Sequence, residues 1–269
     1  MNDHYRTFFG FTKEPFSADL AQNEILETEA VTEAKTRFDY VVRIGALGLI
    51  TGEIGSGKST AIRYAAGRLH PSGHHVFYVT AASGSIIELY RQILEALGIG
   101  KTSSSRAVLT TLIRKEITAL VEDKKLKVVL IIDEASLLRL EVFAELHTIV
   151  QFHKDSKHYL PMIMAGQANL VDKLMYRASA PLASRVVARS HLEGIERQGM
   201  QQYIDHHLKL AGVKTKLFEE PAVTAIHQGS GGLLRKANHL ARGALIAAAA
   251  SQSMRVNAEH VRLAATEIF

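Results

Sequence analysis

The chain has 269 residues, enough for one large domain or for a larger domain with a small second one. Hydrophobic residues make up 47% and charged residues 22%, which excludes a disordered chain, and the absence of cysteine excludes disulfides and thiolate metal sites and suits a reducing, cytoplasmic setting. Lysine and arginine outnumber the acids 32 to 27, a net charge of +5 that permits a polyanionic partner without requiring one.

In chain order, residues 1–11 carry charge and lack the apolar core of a signal peptide. Strand-sized apolar runs follow at 46–51, 76–80, 128–132, 161–165 and Val186–Leu192. Helical patterns lie between them at 59–69, at 86–97 and at 105–121. The second of these has Ser85 as its cap and Gly98 as its stop signal. This alternation predicts an α/β fold, a parallel five-stranded sheet wrapped by helices. After Gly194 no strand run remains, and helical stretches at 197–211, 219–228, 233–250 and 258–268 are separated by Gly212 and by the glycine-rich run 229–232. The apolar stretch 244–250 is too short to span a bilayer, so no membrane span is expected. The organisation predicted is an α/β domain with an N-terminal extension over 1–194 and a helical domain over 195–269.

The strongest local signal is Gly52, Glu53, Ile54, Gly55, Ser56, Gly57, Lys58 and Ser59, followed by Thr60. It matches the phosphate-loop pattern Gly-x4-Gly-Lys-Ser/Thr, placed after a strand and before a helix. Glycines let the backbone curl so that several N–H groups face one anion, and the following helix adds its positive end. Lys58 is expected on the β- and γ-phosphates of ATP and Ser59 on Mg2+. The apolar run 128–132 ends in Asp133 and Glu134, at the strand end where α/β proteins bind ligands. Asp133 is expected to hold Mg2+ through water and Glu134 to polarise the attacking water. The acid pair points to hydrolysis rather than nucleotide storage.

With these residues in place, nearly the whole chain resembles the ExeA/GspA-type branch of AAA+ ATPases, P-loop NTPases with a helical lid. The stretch Phe8-Phe9-Gly10-Phe11 with Glu14-Pro15-Phe16 looks like that branch's opening signature. Met164-Ala165-Gly166-Gln167 looks like its strand ending in Gly-Gln, which implies a sensor role at the γ-phosphate for Gln167. Leu182-Ala183-Ser184-Arg185-Val186 looks like the segment carrying the arginine finger. The resemblance implies that Arg185 serves the site of a neighbouring copy in an oligomer, with Arg177 and Arg189 as nearby competitors. Gly231-Gly232-Leu233-Leu234-Arg235 resembles the sensor element of the lid and implies that Arg235 touches the nucleotide, although Leu234 stands where the family commonly has proline.

Phe8, Phe9, Phe11 and Phe16 either pack the N-terminus onto the core or line an adenine pocket. Adjacent histidines such as His74-His75 and His206-His207 do not face one site, and none is expected to bind metal. Basic groups at Lys124, Lys125 and Lys127, at Lys154 and Lys157, and at Lys209, Lys214 and Lys216 read by default as solvated faces. If several share a face, they would contact phosphates in a salt-sensitive way. The ExeA/GspA proteins generally continue into a membrane span and a periplasmic part, and this sequence ends at Phe269 with neither. It is therefore similar to the transposition helper ATPases of the IstB, TnsC and MuB kind, which implies duplex DNA and a transposase as partners. A cytoplasmic secretion or assembly ATPase without DNA binding and a nucleotide-controlled scaffold with negligible turnover remain the alternatives.

Overall fold

The apolar runs become strands β1 (Leu47–Gly52), β2 (His74–Thr80), β3 (Lys127–Asp133), β4 (Met162–Gly166) and β5 (Val186–Leu192). The computed structural model describes residues 3–100 and 103–266. All strand pairs are parallel, as the alternation predicts, and the strands stand in the order β2-β3-β4-β1-β5. The central strands β3, β4 and β1 are buried almost throughout, while the edge strands β2 and β5 are partly exposed. Burial on both faces is what a parallel sheet covered by helices requires.

The helices are α1 (Asp3–Phe9), α2 (Glu29–Ile44), α3 (Lys58–Ala66), α4 (Ile86–Ala96), α5 (Arg106–Thr118), α6 (Leu140–Leu146), α7 (Asn169–Met175), α8 (Ala180–Ala183), α9 (Arg197–Leu210), α10 (Glu220–Ser230), α11 (Leu234–Ala250) and α12 (Ala258–Ala265). The capping prediction holds for α4. Ser85 Oγ accepts from the Glu88 N–H, Glu88 Oε2 accepts from the Ser85 N–H at 2.6 Å, and Gly98 lies in the left-handed region at φ +79°. The helix predicted over 105–121 ends sooner as α-helix and runs on as a π turn, Ala119–Asp123. The last helix stops at Ala265, and residues 267–268 of its predicted span lie outside the described residues.

The chain folds as two compact units. The sheet unit comprises Glu29–Gly52 and Lys58–Leu192. Alternate residues of β3 serve its two layers, as a strand's two-residue period dictates. Val128, Leu130 and Ile132 pack with Tyr90 and Ile93 of α4, Ile113 of α5 and Phe143 of α6. Val129 and Ile131 pack with Phe38 and Val41 of α2 and Ile62 of α3.

The helical unit comprises the residues up to Thr28, Glu53–Gly57 and those from Glu193 on. Small residues of α11, among them Ala237, Ala241, Ala244 and Ala248, form its core with Phe9, Phe11 and Phe16. A Cβ on Gly243 would stand 2.7 Å from that of Ala264, so α11 and α12 touch where only glycine fits. The N-terminal aromatics are thus packing residues of this core. The signature residues around them hold the segment down: Glu14 accepts from the Tyr5 hydroxyl and pairs with Arg242 Nε at 3.2 Å, and Arg242 donates to the Phe16 carbonyl at 2.9 Å. Among the described residues no helix is long and apolar enough to cross a membrane.

Candidate nucleotide-binding site

The loop between β1 and α3 bends through Gly55 at φ +85° and Gly57 at φ +98°, backbone that side chains with a Cβ rarely adopt. Within the helical unit this loop meets the start of α11. The Arg235 N–H donates to the Gly55 carbonyl at 3.2 Å, and a Cβ on Gly55 would come within 2.8 Å of the Arg235 Cβ. Glycine at this position therefore answers to φ and to a close approach together. Ser56 Oγ is buried with no hydrogen-bond partner, Glu53 and Ile54 are exposed, and Thr60 is half-buried. The Arg235 side chain is exposed. Leu234 opens α11 after Leu233, which makes no side-chain cap.

In the sheet unit α3 begins at Lys58, whose buried ammonium donates to the Gly52 carbonyl at 3.0 Å. Asp133, only 5% exposed, ends β3 and accepts three hydrogen bonds. Ser59 Oγ donates to its Oδ2 at 2.8 Å, the Tyr78 hydroxyl donates to the same oxygen, and the Glu134 N–H donates to Oδ1 at 2.8 Å. Strand register accounts for Tyr78. It stands opposite Ile131, and Thr80 opposite Asp133, so Tyr78 and Asp133 are diagonal neighbours on one face, a span an aromatic side chain covers. Burial, and then the hydrogen bond to Asp133, raise the Tyr78 hydroxyl's pKa above its usual value. Nothing in the sequence singles out Tyr78, because a tyrosine in an edge strand looks like an ordinary strand former.

Glu134 is left-handed at φ 52° and ψ 29°, which ends β3 and opens the 3-10 turn Ala135–Leu137. Non-glycine residues in this region are strained by about 1–3 kcal/mol and cluster at functional sites. The neighbouring strand β4 ends at Gly166, where a Cβ would lie 2.8 Å from the Ser136 nitrogen. The half-exposed Gln167 follows. Lys173 of α7 donates to the Ser136 and Leu138 carbonyls, each at 2.6 Å, and so braces the turn behind Glu134. The fold thus brings Lys58, Ser59, Asp133 and Glu134 to the end of the sheet, with Gln167 on the adjacent strand.

Arg185 is bound elsewhere, to Asp155 at 2.7 Å. Asp155 ends a run of three left-handed residues, His153, Lys154 and Asp155, at φ 46°, 60° and 69°. Arg177 and Arg189 are exposed.

Comparison with known proteins places this geometry in context. The AAA domain family model matches residues 44–174, which include the glycine loop, both acids and Gln167. Over 266 residues the chain is 30% identical to general secretion pathway protein A of Aeromonas hydrophila. The match covers 98% of this chain and 48% of that protein, so the chain spans about half its relative's length. Among solved structures, Cdc6p from Pyrobaculum aerophilum superposes with a TM-score of 0.74 at 13% identity, over 100% of this chain and 72% of that one. The Aeropyrum pernix ORC1 protein, solved in complex with DNA, superposes with a TM-score of 0.69 at 17% identity, over 94% of this chain and 68% of that one. At such identities the solved structures share the fold.

Proposed function

We propose that this chain, an AAA+ P-loop ATPase related to general secretion pathway protein A, binds ATP with Mg2+ and hydrolyses it at the loop from Gly52 to Thr60 and the Asp133–Glu134 pair. The observation that carries the reading is the Ser59–Asp133 hydrogen bond of 2.8 Å beside a buried lysine held on its own loop's carbonyl. On ATP binding, Lys58 exchanges the Gly52 carbonyl for β- and γ-phosphate oxygens, and loop N–H groups take the remaining charge. The unpartnered Ser56 hydroxyl gives the loop a further polar group for the phosphates. Ser59 and Asp133 offer the oxygen donors that suit Mg2+, which when bound neutralises charge on the β- and γ-phosphates. Glu134 orients the attacking water and accepts its proton, and Gln167 contacts the γ-phosphate from the next strand. Arg235 contacts the nucleotide from a helical lid, 195–269.

Arg185 of a second copy completes the site. Within its own chain it is held by Asp155, so service to a neighbour requires exchanging that carboxylate for phosphate oxygen, and an isolated copy turns over slowly. The exposed Arg177 and Arg189 are its competitors for the role.

The oligomer's partner in this reading is duplex DNA, with a transposase as the protein it serves. The net charge of +5 and the likeness to the DNA-bound ORC1 protein support it. A second reading, a secretion or assembly ATPase with a protein partner, draws on the 30% identity to general secretion pathway protein A. The acid pair speaks against a scaffold without turnover. Steady-state ATP hydrolysis with and without duplex DNA, at low and high salt, separates the readings. Salt-sensitive stimulation supports the DNA partner; turnover indifferent to duplex contradicts it and leaves the ATPase standing.

A further inference from the structure

The end of the sheet opposite the acid pair collects positive charge. Lys124, Lys125 and Lys127 lie where the chain enters β3, and Lys154 and Lys157 lie in the loop leading to β4. All five are exposed, and none pairs with an acid among the described residues. The two loops are neighbours by direct contact: Glu122 Oε1 meets His153 Nε2 at 3.0 Å and accepts from the Tyr159 hydroxyl at 2.7 Å. One acid near the lysines, Glu122, is thus engaged by the loop leading to β4, and another, Asp155, is engaged by Arg185.

These loops are built to hold their shape. A bridge joins Phe152 to Lys157, the Lys127 N–H donates to the Gly73 carbonyl at 2.9 Å, and the left-handed run from His153 to Asp155 fixes a turn without glycine. A Cβ on Gly45 would stand 2.4 Å from the His158 carbonyl oxygen, so the segment before β1 also braces this loop. Lys125 in the first loop is left-handed as well, at φ 57°. It is the kind of outlier that marks a functional surface.

We propose that this lysine edge, at the starts of β3 and β4, is the surface that grips duplex DNA through its phosphates. The inference rests on the DNA-partner reading above. Adjacent strands stand about 4.8 Å apart, so strand starts present their cations as a short rigid row, and a rigid row loses little entropy on binding a polyanion. No large hydrophobic residue within 122–127 or 153–158 is exposed, so the edge lacks the apolar wedge with which a basic membrane-binding surface enters the bilayer. Its separation from Lys58, Ser59, Asp133 and Glu134 along the strands leaves the nucleotide site free while DNA is held.

The test uses the full chain and a fluorescein-labelled duplex of random sequence, followed by anisotropy over a salt series with ATP present. Replacing Lys124, Lys125 and Lys127 together by alanine should lower the slope of log affinity against log salt by about three, and replacing Lys154 and Lys157 by about two. Basal turnover without DNA should remain that of the unsubstituted chain in both variants. Alanine at Lys209, Lys214 and Lys216, in the other unit, should leave the slope unchanged. A wild-type slope in both edge variants, or loss of binding only in the control variant, overturns the lysine edge while DNA binding stands. Absence of duplex binding by the unsubstituted chain overturns the DNA reading itself. Edge variants that lose binding to anionic vesicles but keep the duplex slope also overturn the proposal.

Discussion

Two buried polar side chains, one in each unit, meet opposite fates. Asp133 is 5% exposed and His207 is 2% exposed. Asp133 accepts from Ser59, Tyr78 and the Glu134 backbone, so burial does not strip its oxygens of partners. His207 sits in an aromatic box, its ring 5.3 Å from that of Phe16 and 4.5 Å from that of Tyr203, and its Nε2 has no partner. Burial, then the nearby His206 and Arg242, push its pKa down to about 4. The difference separates a buried group whose oxygens are met by three donors from a buried group left without a partner at Nε2. Burial alone does not mark a site; the donors around the buried group do.

The largest break in the comparison is at the Asp133 side. Lys58→Ala removes the ammonium proposed to bind the phosphates and should lower ATP turnover by about a hundredfold or more, measured as phosphate release. Turnover near that of the unsubstituted chain would remove Lys58 from the site.

The His207 side should respond to pH. In the unfolded chain an imidazole takes up its proton near pH 6.5, whereas His207 in the folded chain does so only near pH 4. Between these values the unfolded state binds more protons, so stability falls as pH falls through the window. From pH 7 to pH 5 the loss should be about 2 kcal/mol in urea unfolding monitored by the helical signal. His207→Phe should flatten that dependence, and an unchanged slope would show that another group carries it.

A smaller effect sharpens the Asp133 side. Tyr78→Phe removes one of three donors while keeping the ring, and should raise the Mg2+ concentration needed for half-maximal binding of a fluorescent ADP by about tenfold. Binding of that nucleotide without metal should be unchanged. An unaltered Mg2+ dependence would reduce Tyr78 to a packing residue.

Much of this is legible in the residues, and the exceptions have physical causes. The glycine loop and the acid-ended strand stand out because their chemistry is local: each is one contiguous segment whose neighbours in sequence are its neighbours in function. The parallel sheet and the helical C-terminal region follow from periodicity. Helix α2 is absent from the predicted elements although Ala34, Phe38, Val41 and Val42 carry the spacing of a buried helical face, a signal that suffices to find it. Helices α6, α7 and α8 are only four to seven residues long, too short for a periodic pattern to develop. Tyr78 and the lysine edge depend on strand register and on which loops share an end of the sheet. Neither is local in sequence. The pairing of Arg185 with Asp155 likewise requires the left-handed turn at 153–155, a conformation that no residue type there announces.

The proposed hydrolysis rests most directly on Glu134, left-handed and next to Asp133 in the chain, as the residue assigned to activate the water. The deciding measurement is single-turnover ATP cleavage by Glu134→Gln, paired with ATP binding to the same variant in Mg2+. Binding should stay close to that of the unsubstituted chain, and cleavage should slow by about a hundredfold. Binding retained with cleavage at the unsubstituted rate would contradict that role.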